Sequence, residues 1–273
     1  MYLIPSAPLS RSISDYPEGI VLPIDKPYTW TSADVIRKIK YAAIRHFGKI
    51  KVGHAGTLDP LATGMLLVCL GAATKKAELL QGSDKEYVAG VSFGATTASF
   101  DLEKPIDRIY PPVSREVLEK ALPSFLGEQQ QVAPLFSAKS VDGVRAYETA
   151  RKLYREALRC GGDFASIAES AELRASTVTI HELELLDWSE GRLEPYRGDS
   201  GRINVADASL CDLQTASIRV RCSKGTYIRS LARDLGESLG SGAFLSSLRR
   251  TRIGDITTTI PLYTALEYLA AEK

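Results

Sequence analysis

Histidine, methionine and tryptophan are scarce in this 273-residue chain, at three, two and two residues, and cysteine contributes only four. None of Cys69, Cys160, Cys211 and Cys222 makes a CxxC pair or has a histidine close by in sequence. That argues against a zinc site and a disulfide framework, and fits reduced thiols in a cytoplasmic protein. The chain has no GxxxxGK[ST], no GxGxxG after a strand pattern and no HExxH, so a nucleotide cofactor or catalytic metal would need an unusual site. Long apolar runs are missing too. The most continuous, Met65 to Ala73, is interrupted by Gly71 and falls far short of the roughly 18 residues a membrane span needs. The N-terminal MYLIPSAPLSRSISDYPEG lacks the basic and apolar regions of a secretory signal, so residues 1–17 read as a short extension. A net charge of +1 does not by itself point to nucleic acid.

What is present is an ordinary folding composition, 44% hydrophobic and 25% charged, long enough to bury a good core. The charge is unevenly placed. Arg37 to Lys51, RKIKYAAIRHFGKIK, holds six Lys or Arg and no acid, and Arg219 to Arg252 holds eight against Asp234 and Glu237. Glu182 to Glu190 contributes four acids in the opposite sense. Such polarity can follow a phosphate backbone, although either basic window alone also suits a helix with a solvated face.

Strand and helix patterns are mixed without regular alternation. GIVLPIDKP reads as a strand ended by Pro27, and Thr31 with Asp34 resembles a capping box that opens a helix with the apolar stripe Val35, Ile36, Ile39 and Ala43. Strands are expected over Met65–Leu70, Lys85–Gly94, Ser176–Leu186 and Leu213–Cys222. Helices are expected over Ser114–Leu122, Ala146–Leu158, Thr226–Leu239 and Tyr263–Ala271, with an exposed loop from Cys160 to Ser170. The fold class is α+β with a mainly antiparallel central sheet flanked by helices.

The segment GHAGTLDPLATG, Gly53 to Gly64, is turn-rich yet carries a histidine and an aspartate just before an apolar run. Asp59 is either a turn or capping residue, as Asp before Pro often is, or a nucleophile. His54 is the only histidine set among turn residues. Tyr87, on the inward face of its strand pattern, suits a core position equally well.

Taken in order, GHAGTLDPLATGMLLVCLGAATK, DKEY at 84–87, KGTYIRSLARDLG at 224–236 and LSSLRRTRIG at 245–254 resemble the TruB family of tRNA pseudouridine synthases. LPIDKPYTWTSADVI and SAKSVDGVRAYETAR resemble further parts of it, so the likeness runs from about residue 18 to about residue 256. The resemblance implies a pseudouridine synthase fold, an extension over 1–17 and a catalytic domain over 18–273 with an insertion around 153–171. It implies isomerisation of one uridine, position 55 in the T-loop of tRNA, with no cofactor and no metal. It implies three catalytic residues: Asp59 as nucleophile, Arg229 as the cation that orients it and holds its pKa low, and Tyr87 as the ring against the target base. The attack is on the sugar or on the base ring. His54, Lys26, Gly56, Thr57, Lys139, Tyr227 and Arg250 are the implied RNA contacts, His54 filling the place of the flipped base. Arg145 and Tyr147 are implied with Lys139 in an RNA-contacting segment.

The chain departs from the family at Ala98, where an acid is usual, while Ser99 and Asp101 keep the pattern. It also stops about 20 residues after LRRTRIG, so no C-terminal RNA-binding barrel is expected. The expected partner is the tRNA T-arm, with no membrane and no obligate protein partner. Two rivals are an RNA-binding protein without the reaction and a synthase acting on another RNA with partner proteins.

Overall fold

The computed structural model describes residues 8–136, 140–141, 144–160, 175–198 and 203–270. In chain order the strands are β1 (Ile20–Lys26), β2 (Val52–His54), β3 (Ala62–Leu70), β4 (Lys85–Phe93), β5 (Ala95–Thr97), β6 (Ile106–Ile109), β7 (Gly127–Val132), β8 (Ser140–Val141) and β9 (Val144–Arg145). They continue with β10 (Ala175–Arg192), β11 (Asp212–Cys222), β12 (Ala243–Ile253) and β13 (Ile260–Pro261). The helices are α1 (Ser32–Phe47), α2 (Ala77–Gly82), α3 (Arg115–Ala121), α4 (Ala146–Cys160), α5 (Ile228–Ser238) and α6 (Leu262–Tyr268). The class is mixed α+β with a mostly antiparallel central sheet. The chain divides into two compact units, residues 1–88 with 200–203 and 248–273, and residues 89–199 with 204–247.

In the first unit β3 is the centre. It pairs antiparallel with β1 and β2 and parallel with β12, and β13 adds to β1 in parallel. Its run from Met65 to Leu70 is fully buried because both faces are covered. The two-residue strand period sends Leu66, Val68 and Leu70, with Ile20, Leu22 and Ile24, against Val35, Ile39 and Ala43 of α1 and Leu262 and Ala265 of α6. Met65, Leu67, Cys69 and Val21 face the other way, onto Ala55, Ala73, Leu80 and Ile253.

Helix α1 starts where the sequence pattern places it. Thr31 Oγ1 accepts from Asp34 N at 3.1 Å and the Asp34 carboxylate accepts from Thr31 N at 3.2 Å, the reciprocal capping box. Of the expected stripe, Ile36 is half-buried, and His46 joins Val35, Ile39 and Ala43 inside. Residues 8–17 pack on this unit: Leu9 N donates to Tyr268 O at 3.2 Å, and the Tyr16 ring meets Phe47 edge-on at 6.2 Å. Gly64 has φ +92, and a Cβ there would lie 2.3 Å from Arg250 O, so the parallel β3–β12 approach requires glycine.

In the second unit β10 is the centre, antiparallel to β11 along most of its length and to β7 near its start. Phe244, Leu213, Ala95 and Ala208 form one core, and Ala98, Leu135, Phe136 and Ala150 another. Helix α5 buries Ile228, Arg229, Leu231, Ala232 and Leu235. The structure adds to the sequence reading here. GEQQQV has no apolar alternation yet forms β7, because β10 supplies its backbone partners, and Ala95–Thr97 with Ile106–Ile109 forms a small ribbon. The segment with LSSLRRTRI, not read as a strand, is β12. Most of the expected Cys160–Ser170 loop and of the insertion around 153–171 lies outside the described residues, residues 153–160 being the end of α4.

Candidate active site

The loop between β2 and β3 carries the aspartate, and the backbone on both sides of it is held by side chains from neighbouring elements. Ser32, in the first turn of α1, donates through Oγ to Leu58 O at 3.0 Å and accepts from Leu58 N at 2.9 Å. Lys26, at the end of β1, sends its Nζ to Pro60 O at 3.0 Å, Pro27 O at 2.9 Å and Trp30 O at 2.6 Å. Arg250 reaches from β12 to Met65 O at 2.7 Å through Nε, and through its two terminal nitrogens to Thr57 O at 3.3 Å and Gly56 O at 3.2 Å. The loop is thus cross-linked to two strands and a helix at the residues before and after Asp59. Asp59 itself is half-buried and Thr57 is exposed. Fixing a short loop through its own carbonyls is how a side chain on it can be held in one orientation.

Lys26 and Arg250, which the family resemblance places among the RNA contacts, lie inside the unit. Their exposures are 0% and 2%, and each spends its donors on main-chain carbonyls. A buried cation is tolerated only when such partners surround it. Burial pushes the Lys26 ammonium down to about 7, with the attraction of Asp59 acting the other way and Arg250 adding to the fall. His54, half-buried at the end of β2, is also held below its usual value, first by burial and then by Arg250. It is therefore a neutral imidazole at neutral pH, and its Nδ1 is buried without a hydrogen-bond partner. A flat, uncharged ring is suited to stacking on a base. Gly56 completes the turn with φ +90.

Tyr87 lies in the same unit as Asp59, at the start of β4, with its side chain 7% exposed. Beside it Glu86 accepts from Thr251 Oγ1 at 2.8 Å and pairs with Arg252 at 3.4 Å. Arg249 forms a two-pronged pair with Asp25 at 3.1 and 2.7 Å, and Asp25 also accepts from Gly64 N at 3.1 Å. The cations at the end of β12 are thus each engaged within the unit, Arg249 and Arg252 by carboxylates at its surface and Arg250 by carbonyls in its interior.

Arg229 belongs to the second unit, on the first turn of α5. It is 4% exposed, donates to Ser99 O at 3.2 Å and Phe136 O at 2.8 Å, and faces Asp101 at 3.7 Å. Asp101 is held in turn by Ser99 Oγ at 2.7 Å and Glu103 N at 2.9 Å. Tyr227 precedes α5, its N–H and C=O both bound by the Gln131 side chain at 2.8 and 3.1 Å. Lys139 lies outside the described residues, and so do the side chains of Arg145 and Tyr147. Sequence reasoning missed Ser32, which looks like an ordinary residue after a helix cap. It also missed Asp101 as the carboxylate facing Arg229, although the Ser99–Asp101 pattern was the available signal.

A family model described as the N-terminal domain of TruB family pseudouridylate synthase matches residues 44–228, and one for the C-terminal domain of tRNA pseudouridylate synthase B matches 229–272. The chain belongs to the TruB family. Within it, the chain is 48% identical over 246 residues to the tRNA pseudouridine synthase B of Phocaeicola vulgatus, covering 89% of this chain and 88% of the relative. It is 42% identical over 264 residues to that of Thermus thermophilus, covering 92% and 77%. Among solved structures it is similar to a Cbf5–Nop10–Gar1 complex, with a TM-score of 0.60, 26% identity and coverage of 97% of this chain and 59% of that one. It is also similar to an H/ACA RNP bound to a substrate RNA containing 2'-deoxyuridine, at TM-score 0.57 and 26% identity, covering 92% and 53%. The chain spans a little over half the length of those two structural relatives. The loop that carries Asp59 in this TruB member falls inside the first matched region, and α5 with Arg229 opens the second. Residues 229–270 of the second region form α5, β12, β13 and α6.

Proposed function

We propose that this TruB-family protein converts the T-loop uridine at position 55 of tRNA to pseudouridine, with Asp59 as the nucleophile. The observation that carries the reading is the clamped loop: a half-buried carboxylate on a segment whose backbone is held by Ser32, Lys26 and Arg250. The curated relatives in Phocaeicola vulgatus and Thermus thermophilus bear the name of that activity.

The reaction breaks the bond from N1 to the sugar carbon and forms one from C5 to the same carbon. The proton leaves C5, N1 ends as N–H, and nothing is oxidised or reduced. It therefore asks for a nucleophile, proton transfer and a pocket that keeps the detached base. A uridine stacked in a folded loop must first be flipped out, at a cost of a few kcal/mol of unstacking. The neutral His54 ring, next to the Asp59 loop, fills the vacated place by stacking. Thr57 and the Gly56 backbone meet the RNA, and Tyr87, Arg229, Tyr227 and Lys139 keep the roles the family resemblance assigns them. The T-arm of tRNA is the substrate element, the protein works without an obligate protein partner, and its compartment is the cytoplasm. No described helix is long and apolar enough to cross a membrane.

The test is pseudouridine formation on an unmodified tRNA transcript, comparing wild type with Asp59→Asn and mapping the modified position. Wild type is expected to modify the T-loop uridine, and Asp59→Asn to bind the tRNA while losing at least about 10³-fold in rate. Turnover by Asp59→Asn at the wild-type rate overturns the assignment of the nucleophile. Binding without modification by wild type overturns the enzyme reading.

A further inference from the structure

Helix α1 carries a surface that the reaction at Asp59 does not use. Its inner side is committed to the core through Val35, Ile39, Ala43 and His46. On its outer side Arg37, Lys38, Lys40, Tyr41, Ile44 and Arg45 are all exposed. At 100° per residue these six fall on one continuous face, four cations with an aromatic and an aliphatic residue between them. Tyr41 is 67% exposed and the Arg45 guanidinium sits 5.8 Å from its ring centroid, while Lys49 and Lys51 extend the same charge beyond the helix end.

The pairing of these charges sets them apart from the other basic segment. Arg219 and Arg221 on β11 are met by Glu184 and Glu182 on β10, and Arg249 and Arg252 by Asp25 and Glu86. On α1 Arg37 pairs with Asp34 at 3.0 Å. Among the described residues no carboxylate pairs with Lys38, Lys40 or Arg45. Six like charges gathered with so little compensation raise a local positive potential, which is stabilised by a polyanion and by little else in the molecule. An aromatic ring and an arginine plane among phosphate-binding cations add stacking surface for unpaired bases.

The position of the helix says which polyanion. Its first turn is docked on the Asp59 loop through the Ser32–Leu58 pair, and from there to Arg45 the basic face extends ~20 Å at 1.5 Å per residue. An RNA with its uridine at Asp59 has neighbouring parts within that reach.

We propose that the outer face of α1 is a second RNA-binding surface, which holds the backbone of the substrate RNA outside the stem-loop that carries the target uridine. The proposal rests on the reading of the protein as a tRNA-modifying enzyme. Its contribution is to affinity and to the salt dependence of binding, because cations that meet phosphates release counterions and read no base. Each phosphate that a removed cation no longer neutralises lowers the slope of log affinity against log salt by about 0.7 to 0.9.

The experiment compares wild type with the triple variant Lys38→Gln, Lys40→Gln, Arg45→Gln. Glutamine keeps the helix propensity, and the sites are exposed. Both proteins are assayed on full-length tRNA transcript and on an isolated T-arm stem-loop, with thermal unfolding as the control of the fold. For full-length tRNA the variant is expected to bind about tenfold more weakly or worse near physiological salt, with a slope shallower by about 2. Turnover of the stem-loop is expected to stay within about twofold of wild type. Unchanged affinity and slope for full-length tRNA overturn the proposal and leave the face to a protein partner. An equal weakening on both RNAs also overturns it, since the surface would then meet the stem-loop itself. Failure of wild type to make pseudouridine in either RNA sinks the function reading instead, and the binding arm still reports on the surface.

Discussion

Replacing Lys26 by methionine keeps a long unbranched side chain at the end of β1 and removes the ammonium, so it isolates the buried charge under the Asp59 loop. Burial pushes this lysine from its usual 10.5 down to about 7. The folded chain therefore binds the proton less tightly than the unfolded chain. Wild-type stability then rises with pH from about 7 to about 10.5, by at most about 1.4 kcal/mol per pH unit, and falls on acidification through the folded value. A methionine at 26 binds no proton and lacks this rise. Its own cost is the absence of the donor shared by Pro27, Trp30 and Pro60; the amine is uncharged above about 7 and has two N–H groups for these three carbonyls, so the loss at high pH is two hydrogen bonds at about 1.5 kcal/mol each. The variant is expected to be less stable than wild type by about 3 kcal/mol at pH 9.5, with the gap narrowing by about 2.5 kcal/mol at pH 7.5. Urea unfolding at a series of pH values, with midpoints and slopes fitted together, measures the gap. A gap that does not change with pH would refute the argument, because it would mean that the three carbonyls hold the ammonium at its ordinary value against the cost of burial.

Ser32→Ala orphans both Leu58 N–H and Leu58 O, and is expected to cost about 2 kcal/mol in thermal unfolding and to lower kcat while tRNA affinity stays unchanged. Asp101→Asn removes the carboxylate facing the buried Arg229 and is expected to destabilise the chain by about 3 kcal/mol, read as a lowered urea midpoint; an unchanged midpoint would show that this cation does not depend on Asp101. Gly64→Ala forces a side chain onto Arg250 O at φ +92, and is expected to lower the yield of folded protein and its thermal midpoint, whereas Gly82→Ala, where nothing lies within 4 Å, is expected to leave both unchanged.

Apolar periodicity and short-range chemistry made much of the fold legible. The apolar run of β1 ended by Pro27, the buried run of β3 and the Thr31–Asp34 box are local signals, and each element formed where its own residues dictate. The strand β7 was illegible because GEQQQV carries no pattern of its own and takes its backbone partners from β10. The basic residues of β12 concealed a strand in the same way, since Arg249 and Arg252 are neutralised by Asp25 and Glu86, on strands far away in sequence. For the site, ordered motifs around Asp59, Tyr87 and Arg229 carried the family, and the family models matched over 44–272.

The sequence by itself determined the family, the α+β class and the clustering of a carboxylate, a histidine and glycines in one turn, because motif order and apolar period are properties of neighbours along the chain. Only the tertiary structure decided what the cations do. A lysine and an arginine read alike in sequence whether they meet solvent or carbonyls. The folding of β1, α1 and β12 around one loop turned Lys26 and Arg250 into internal clamps, and left the outer face of α1 charged and open.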